Sequence, residues 1–454
     1  MNKNNTFEPL HIKTIIFDLL EDDRRDLVFD LIDHYYSKAT KLEHFDILGE
    51  ISDKAEKRDT FLKCAIAVYC LSKTSNQLYS ARRNLYMAYS TLNFPEKALF
   101  YIEQNLKINP DNFHDLVQKV ANLSLMGYKN EAENLATNLL EKFPEKNYDL
   151  KSLFTSKMLR EGKTSEGILS FLNTENKFAE KYKQFMPKIW KGTIHPGKIL
   201  YIDSVGGIGD LIVNIKFFNY LKKFGMRPIL FSNNNFYRDI EKVFSRHDYE
   251  ICTDSRLLLN NQYWTDIMSL PAHLKLREDQ LWTGPYLVPL RQEKNKLVNK
   301  KIKIGIKCSG NPFFKQDEYR KIPIEQMVDI LPKEAEIYYI DKDKINFPGI
   351  IDLSNKINSW EDTLDFIDQM NCIVSSCTSL VHAAAAIGKI TFVAVPIAEY
   401  YIWTTTQING SSPWHGDNFY VARQTKLRSW KEPLEKIKVK LNTYINNLRV
   451  SIND

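Results

Sequence analysis

The chain has 454 residues, a formal charge of +6 and 43% hydrophobic residues. This length exceeds that of one ordinary core and predicts more than one domain. Basic and acidic residues are interspersed, so no basic block indicates nucleic-acid binding. No segment reaches the roughly 18 apolar residues of a membrane span, and the polar N-terminus lacks a signal-peptide core. The six cysteines form no CxxC pair, so we expect no metal site and a cytoplasmic protein.

Residues 1–190 contain few glycines and no strand pattern, which predicts a helical domain. A spacing of 34 residues recurs in this part of the chain, between Ala98 and Ala132, Pro110 and Pro144, and Asn93 and Gly127. A small residue lets helices approach closely, and proline ends a helix. The pattern resembles the tetratricopeptide repeat, with a third, degraded unit at 149–172. Generic helical hairpins are the alternative.

From about residue 196, strand-like and helix-like segments alternate. This alternation predicts two Rossmann-like lobes with parallel sheets, 196–295 and 301–440, closed by a C-terminal helix at 430–448. The polar link 290–301 is the predicted hinge between the lobes. Predicted strands are 198–203, 226–232, 302–310, 335–341, 372–377 and 391–396, and predicted helices are 211–225, 322–331, 360–370 and 379–388. A ligand is expected between the lobes, at the carboxyl ends of the strands.

The stretch VGGIGDLIVN (205–214) connects a predicted strand to a predicted helix. Glycines let the backbone approach a ligand, and the free N–H groups of the helix start could bind an anion. However, Asp210 at this helix start would repel a phosphate. Asp210 is therefore either a helix cap or a base exposed in the cleft. The glycine spacing differs from G-x-G-x-x-G, which argues against a dinucleotide site.

Four segments in order carry a more specific resemblance: GDLIVNIKFF (209–218), SGNPFFKQDEYRKIP (309–323), SSCTSLVHAAAAIGK (375–389) and SSPWHG (411–416). They resemble the family-nine glycosyltransferases, the heptosyltransferase group with the two-domain GT-B fold. The resemblance implies an inverting, metal-independent glycosyltransferase without a cofactor, whose donor is a nucleotide-diphosphate sugar. It also implies that Asp210 is the catalytic base. The residues that it implies for donor binding are Gly207, Gly209, Ser309, Asn311, Arg320, Lys321, Thr378, Ser379, Leu380 and His382.

The chain departs from the family pattern on the donor side. Cys377 replaces the aspartate before Thr-Ser, the segment 400–403 replaces Asp-Trp-Arg-Trp, and Ser411 replaces another aspartate. Either the donor sugar is not a heptose or the site is weakened.

Three functions follow as alternatives. The first is a glycosyltransferase whose repeats dock a protein acceptor or a second copy of the chain, giving a homo-oligomer. The second is a heptosyltransferase of lipopolysaccharide-type glycan assembly. The third is a non-catalytic repeat scaffold with a degenerate transferase domain.

Overall fold

The computed structural model describes residues 9–21, 24–146, 154–172, 188–232, 234–257, 262–297, 301–311, 317–407 and 409–453. The chain divides into two compact units, Met1–Leu150 and Lys151–Asp454. Within the described ranges, no helix is both long and apolar enough to cross a membrane.

The described part of the first unit is built of helices that pack on their neighbours in the chain. They are α1 (Pro9–Glu21), α2 (Arg25–Tyr36), α3 (Leu42–Lys54), α4 (Arg58–Leu71), α5 (Ser75–Thr91), α6 (Pro95–Leu106), α7 (Phe113–Leu125) and α8 (Lys129–Lys142).

The 34-residue period of the sequence is visible in this unit. Asn93 and Gly127 take left-handed conformations, with φ of 62° and 86°, and end the helices α5 and α7. Ala98 and Ala132 are both buried where consecutive helices meet. The prediction of helical repeats is therefore confirmed for this part of the chain.

The second unit contains the strands. Its elements are α9 (Thr155–Arg160), α10 (Thr164–Leu172), β1 (Lys188–Ile189), β2 (Ile199–Asp203), α11 (Ile208–Ile215), α12 (Phe218–Lys223), β3 (Arg227–Phe231), α13 (Arg238–Arg246), β4 (Glu250–Cys252), β5 (Tyr263–Asp266), α14 (Leu270–His273), β6 (Lys303–Lys307), α15 (Asp317–Arg320), α16 (Ile324–Val328), β7 (Glu336–Tyr339), β8 (Ile350–Asp352), α17 (Trp360–Gln369), β9 (Cys372–Ser376), α18 (Ser379–Ala386), β10 (Thr391–Val395), β11 (Gly410–Ser412), β12 (Gly416–Arg423) and α19 (Lys431–Asn453).

Two sheets organise this unit. The first has the order β1-β5-β2-β3-β4 and is parallel throughout. The second has the order β11-β12-β10-β9-β6-β7-β8 and is parallel except for the edge pair β11–β12. Helices follow the strands, as expected when apolar strands must be covered on both faces. The predicted fold class, helical repeats followed by parallel α/β lobes, is confirmed.

The helical region predicted at 1–190 is divided in the structure. The hairpin α9–α10 belongs to the second unit, not the first. Its Leu159 and Ile168 are buried in the same hydrophobic core as Leu200 and Ile202 of β2. The strand β1 also lies before residue 190, where it pairs with β5. Because these apolar side chains are buried in the α/β core, the hairpin is part of the second unit.

The segment 211–225, predicted as one helix, contains a break between α11 and α12. The Asn214 amide donates to the Asp210 carbonyl and to the Tyr401 hydroxyl. Lys216 is buried at the break, and its ammonium donates to the Trp414 carbonyl. These tertiary contacts explain why the helical pattern of the sequence does not continue as a single helix.

The predicted hinge is held against α17 in its described part. The Asp365 carboxylate accepts from the backbone N–H groups of Arg291 and Gln292, at 2.6 and 2.9 Å. The Asn295 side chain donates to Asp362 and Asp365. The beginning of the link is therefore fastened to the second lobe.

Candidate functional site

The turn between β2 and α11 brings a carboxylate back onto its own backbone. Gly206 has a φ of +83°, and a Cβ there would lie 2.7 Å from Asp210 Oδ2 and 3.0 Å from Met268 Sδ. The Gly207 N–H donates to Asp210 Oδ2 at 2.8 Å. Asp210 thus reaches back from the first turn of α11 to the residue that precedes the helix, as a capping carboxylate does. The N–H of Gly207 is used by this bond.

The second oxygen of Asp210 has a partner from the other lobe. The Tyr400 hydroxyl donates to Asp210 Oδ1 at 2.7 Å. Burial raises the pKa of Asp210, while the hydrogen bonds from Tyr400 and Gly207 and the positive charge of Arg320 oppose the rise. A carboxylate with a raised pKa is a better proton acceptor than an exposed one. The geometry therefore suits a helix cap and a base at once.

Two buried hydroxyls lie where β9 leads into α18. Thr378 precedes the helix in an extended conformation, and its hydroxyl and that of Ser376 are buried. Neither hydroxyl has a hydrogen-bond partner among the described residues. Burial of an unpaired polar group costs about 1–3 kcal/mol. Such groups at the positive end of a helix can be satisfied by an anionic ligand.

The start of α11 packs directly on α18. A Cβ at Gly209 would lie 2.8 Å from His382 Cδ2 and 3.4 Å from the Cα of Ser379. The first distance is shorter than van der Waals contact allows. Glycine at this position lets the two helices approach, and it brings the turn that holds Asp210 next to the start of α18.

His382 is part of a buried chain of hydrogen bonds. Its Nδ1 lies 2.8 Å from Nε2 of His415, whose Nδ1 lies 2.7 Å from the Ser412 hydroxyl. Burial lowers the pKa of His382 to about 3, and the charges of Lys216 and Arg320 act in the same direction. The ring is therefore neutral, so a contact with a phosphate would be a hydrogen bond without a charge.

Arg320 is held by two hydrogen bonds and acts on Asp210 through its charge. Its Nε donates to Asp317 Oδ1 at 2.7 Å, and Nη1 donates to the Cys377 carbonyl at 3.1 Å. Asp317 also accepts from the Gly310 N–H at 3.0 Å. The positive charge of Arg320 favours the ionised form of Asp210. The structure thus places the predicted arginine at the strand ends near Gly310 and Cys377, where its charge acts on the predicted base.

Two further predicted donor-binding residues, Ser309 and Asn311, follow β6. Ser309 has a hydrogen bond with Tyr339. Asn311 is exposed beside the segment 312–316. That segment, which includes Lys315, lies outside the described residues. The donor-binding roles of Ser309 and Asn311 stay predictions.

Two further predicted residues differ in their surroundings. Lys321 is exposed, and its carbonyl accepts from the Trp430 indole. Leu380 is buried in the hydrophobic core, so only its backbone could face a ligand. Arg423 is buried and donates to the carbonyls of Pro396 and Trp403. Arg423 therefore stabilises the segment between β10 and β11, to which both carbonyls belong.

The sequence did not indicate Lys216 as a site residue. Its buried ammonium lies within 6 Å of four aromatic rings and donates to the Trp414 carbonyl. The rings belong to Phe217, Trp282, Tyr286 and Trp414, at 5.2–5.9 Å from the ammonium. Burial holds the pKa of Lys216 well below its usual value. The only signal in the sequence was one lysine within an apolar helical run, which is also common on helix surfaces.

Among the described residues, no group of three or more histidine, cysteine, aspartate or glutamate side chains is placed to hold an ion.

No family model matches the sequence, and no curated protein matches it significantly. Solved structures similar to the chain include heptosyltransferase II from Escherichia coli, described as an ADP-heptose lipopolysaccharide heptosyltransferase. It has 12% identity and a TM-score of 0.39, and the match covers 56% of this chain and 99% of that one. An O-GlcNAc transferase from Thermobaculum terrenum has 9% identity and a TM-score of 0.36, and the match covers 89% of this chain and 93% of that one.

A tetratricopeptide-repeat protein from Thermus thermophilus has 16% identity and a TM-score of 0.29. The match covers 39% of this chain and 96% of that one. The similar structures therefore include the two kinds of protein that the sequence resembles, repeat proteins and glycosyltransferases.

Proposed function

We propose that this chain is a glycosyltransferase that moves a sugar from a nucleotide-diphosphate donor to an acceptor hydroxyl, with inversion and without a metal. The observation that carries the proposal is the placement of Asp210. Its carboxylate has a raised pKa, is oriented by two hydrogen bonds and feels the positive charge of Arg320. A base next to a fixed cation is the arrangement that a displacement with an anionic leaving group needs.

In the proposed reaction, Asp210 removes the proton from the acceptor hydroxyl. The acceptor oxygen forms a bond to the anomeric carbon while the bond from that carbon to the diphosphate oxygen breaks. The nucleoside diphosphate leaves with the bonding electron pair, and the anomeric configuration inverts. Arg320 and the N-terminus of α18 meet the charge that develops on the leaving group.

The donor site is proposed to lie where the ends of β6 and β9 approach. The buried hydroxyls of Ser376 and Thr378 have hydrogen-bonding capacity to offer there. Arg320 is already oriented by Asp317, so little of its freedom is lost when a diphosphate binds. Ser379, next in the chain, begins the helix whose free N–H groups would complete the site.

The sugar specificity is proposed to differ from that of heptosyltransferases. Burial raises the pKa of the Cys377 thiol to about 11, so the group is neutral where the family has a carboxylate. A thiol accepts hydrogen bonds from sugar hydroxyls only weakly. Hexose donors therefore belong in any test beside ADP-heptose.

The acceptor is proposed to be a protein that docks on the helical unit. Helical repeats stack into extended surfaces that suit a polypeptide, and the 34-residue period supports such a stack. Such an extended surface could also bind a second copy of this chain, so we also propose a homo-oligomer.

Calorimetric titration against ADP, GDP, UDP, CMP and their sugar forms tests the donor site. We expect one nucleotide family to bind wild-type protein, Arg320→Gln to lose that binding, and Asp210→Asn to keep it. Arg277→Gln is the matched control, because Arg277 pairs with Asp279 at the surface. With the donor identified, transfer by Asp210→Asn should fall by about 10²–10⁴-fold. If none of these nucleotides binds, the enzyme proposal fails and a repeat scaffold remains.

A further inference from the structure

Tyr400 occupies a place that the catalytic proposal does not explain. Its hydroxyl and the Gly207 N–H bind different oxygens of the Asp210 carboxylate. Two donors on two oxygens fix both the position and the plane of the group. Each carboxylate oxygen can accept a second hydrogen bond. An acceptor hydroxyl could therefore reach Asp210 while Tyr400 stays bound.

The phenol of Tyr400 remains a donor over a wide pH range. Burial raises its pKa well above the usual value, and the negative charge of Asp210 adds to the rise. A protonated phenol can give its hydrogen to a carboxylate but cannot take the acceptor's proton in place of Asp210. Its chemistry therefore supports the base without replacing it.

The chain around Tyr400 is held by the hairpin α9–α10. The Phe171 ring lies 5.1 Å from the ring of Tyr400, edge to face, and 5.2 Å from that of Tyr401. Arg160 donates to both carboxylate oxygens of Glu399, the residue before Tyr400, at 2.6 and 2.7 Å. The Glu399 side chain is only 6% exposed, so this pair is largely shielded from water. A shielded bidentate pair and a ring contact restrain the segment more than a surface pair would.

We propose that Tyr400 is a positioning residue for Asp210 and that Phe171 and Arg160 of the hairpin α9–α10 hold Tyr400 in place. The hairpin, which the sequence indicates as a degraded repeat, then helps to position Asp210, the proposed catalytic base. This inference rests on the proposed function, because it assigns Tyr400 to the same site.

Several other groups also act on Asp210 or lie near it, and a pH test must consider them. They are Arg320 from α15, His382 from α18, Asp203 and Asp266 at the ends of β2 and β5, Tyr237, and Tyr401. Arg320 favours the ionised carboxylate, as Tyr400 does. His382 is neutral, and the Asp266 carboxylate is bound to Ser269. Substitution of Tyr400 leaves all of them in place.

The test is the pH profile of transfer by the full-length protein. Tyr400→Phe removes the hydroxyl and keeps the ring against Phe171. The hydrogen bond favours ionised Asp210, so its loss should raise the pKa and move the acid limb of kcat/KM up by about one to two pH units. Phe171→Leu and Arg160→Gln should move it in the same direction by less, and lower kcat with an unchanged donor KM.

Tyr401→Phe is the matched control. It loses a neighbouring phenol that binds Asn214 instead of Asp210, and its acid limb should match that of the wild type. An unmoved limb in Tyr400→Phe would overturn the assignment of Tyr400. An unmoved limb in both hairpin variants would overturn the role of α9–α10.

A second readout does not depend on activity. In full-length protein labelled with [13C]aspartate, the carboxyl resonance missing from Asp210→Asn reports the titration of Asp210. We expect its midpoint to rise in Tyr400→Phe and to stay constant in Tyr401→Phe. If no donor is transferred but the midpoint rises, the positioning contact stands and the proposed function fails. If the midpoint does not move, the positioning proposal fails whatever the activity.

Discussion

Gly207 and Gly209 lie two residues apart in the same turn, but a side chain would meet different surroundings at each. At Gly209 a Cβ would lie 2.8 Å from His382 Cδ2, whose ring is buried and bonded to His415. At Gly207 the nearest atom, Asp210 Oδ2, is 3.5 Å away and φ is −89°. Gly209→Ala should therefore destabilise the second unit by about 1–3 kcal/mol through overpacking, and Gly207→Ala by much less.

The seven tryptophans make this prediction easy to measure. All of them lie between residues 190 and 430, so their fluorescence reports the second unit alone. Urea unfolding followed by this signal should place the midpoint of Gly209→Ala clearly below that of Gly207→Ala. Equal midpoints would mean that α11 and α18 do not pack as closely as described.

Residues of the site divide into those that a local pattern reveals and those that only the fold brings in. Asp210, Arg320 and Thr378 stand in short motifs next to strand ends, where a sequence shows both the residue type and its element. Tyr400 reaches Asp210 across 190 residues of chain, and Lys216 is surrounded by rings from three separate segments. No local spacing encodes such contacts. In the sequence, Tyr400 was visible only as a departure from the family pattern.

At the scale of elements, α17 fixes the link that the sequence marks as a hinge. Asp365 is buried and both of its oxygens accept backbone N–H groups of the link. In Asp365→Asn, one carboxylate oxygen becomes an NH2 group, which cannot accept a hydrogen bond and faces a backbone N–H of the link. We expect a loss of about 1–3 kcal/mol, read from the tryptophan signal.

Asp368, one turn later on the same helix, provides the control. It pairs with the exposed side chain of Arg291, and such a pair contributes about 0–1 kcal/mol. Asp368→Asn should thus unfold near the wild-type midpoint. If Asp365→Asn does the same, the link is not fastened by α17 and flexes there as the sequence indicates.

Strands and helices were predicted well where one apolar pattern determines them. The predicted strand 391–396 is observed as Thr391–Val395, and the predicted helix 360–370 as Trp360–Gln369. The prediction differed where tertiary contacts decide, as at the break after Ile215. There the Asn214 side chain and the buried Lys216 take partners from the other lobe. Periodicity cannot report such partners.

At the scale of the whole molecule, the second unit is joined across its two sheets by polar contacts at the site itself. Asp210 binds Tyr400, Asn214 binds Tyr401 and Lys216 binds the Trp414 carbonyl. All three come from one side of α11 or from the residue after it. The contact between Asp210 and Tyr400 therefore both joins the lobes and orients the candidate base, whereas the contacts of Asn214 and Lys216 join the lobes without touching the carboxylate.

The division of the chain predicts how fragments behave. The core that holds Leu159 and Ile168 contains none of the described residues of the first unit, so a fragment 151–454 should keep the tryptophan unfolding midpoint of the full chain. A fragment 173–454 loses these two buried side chains and the Arg160–Glu399 pair. Each buried leucine or isoleucine contributes about 2–5 kcal/mol, so this fragment should unfold at a much lower urea concentration or fail to fold. If both fragments unfold at the same midpoint, the hairpin α9–α10 is not part of the second unit, and its proposed hold on Tyr400 is lost with it.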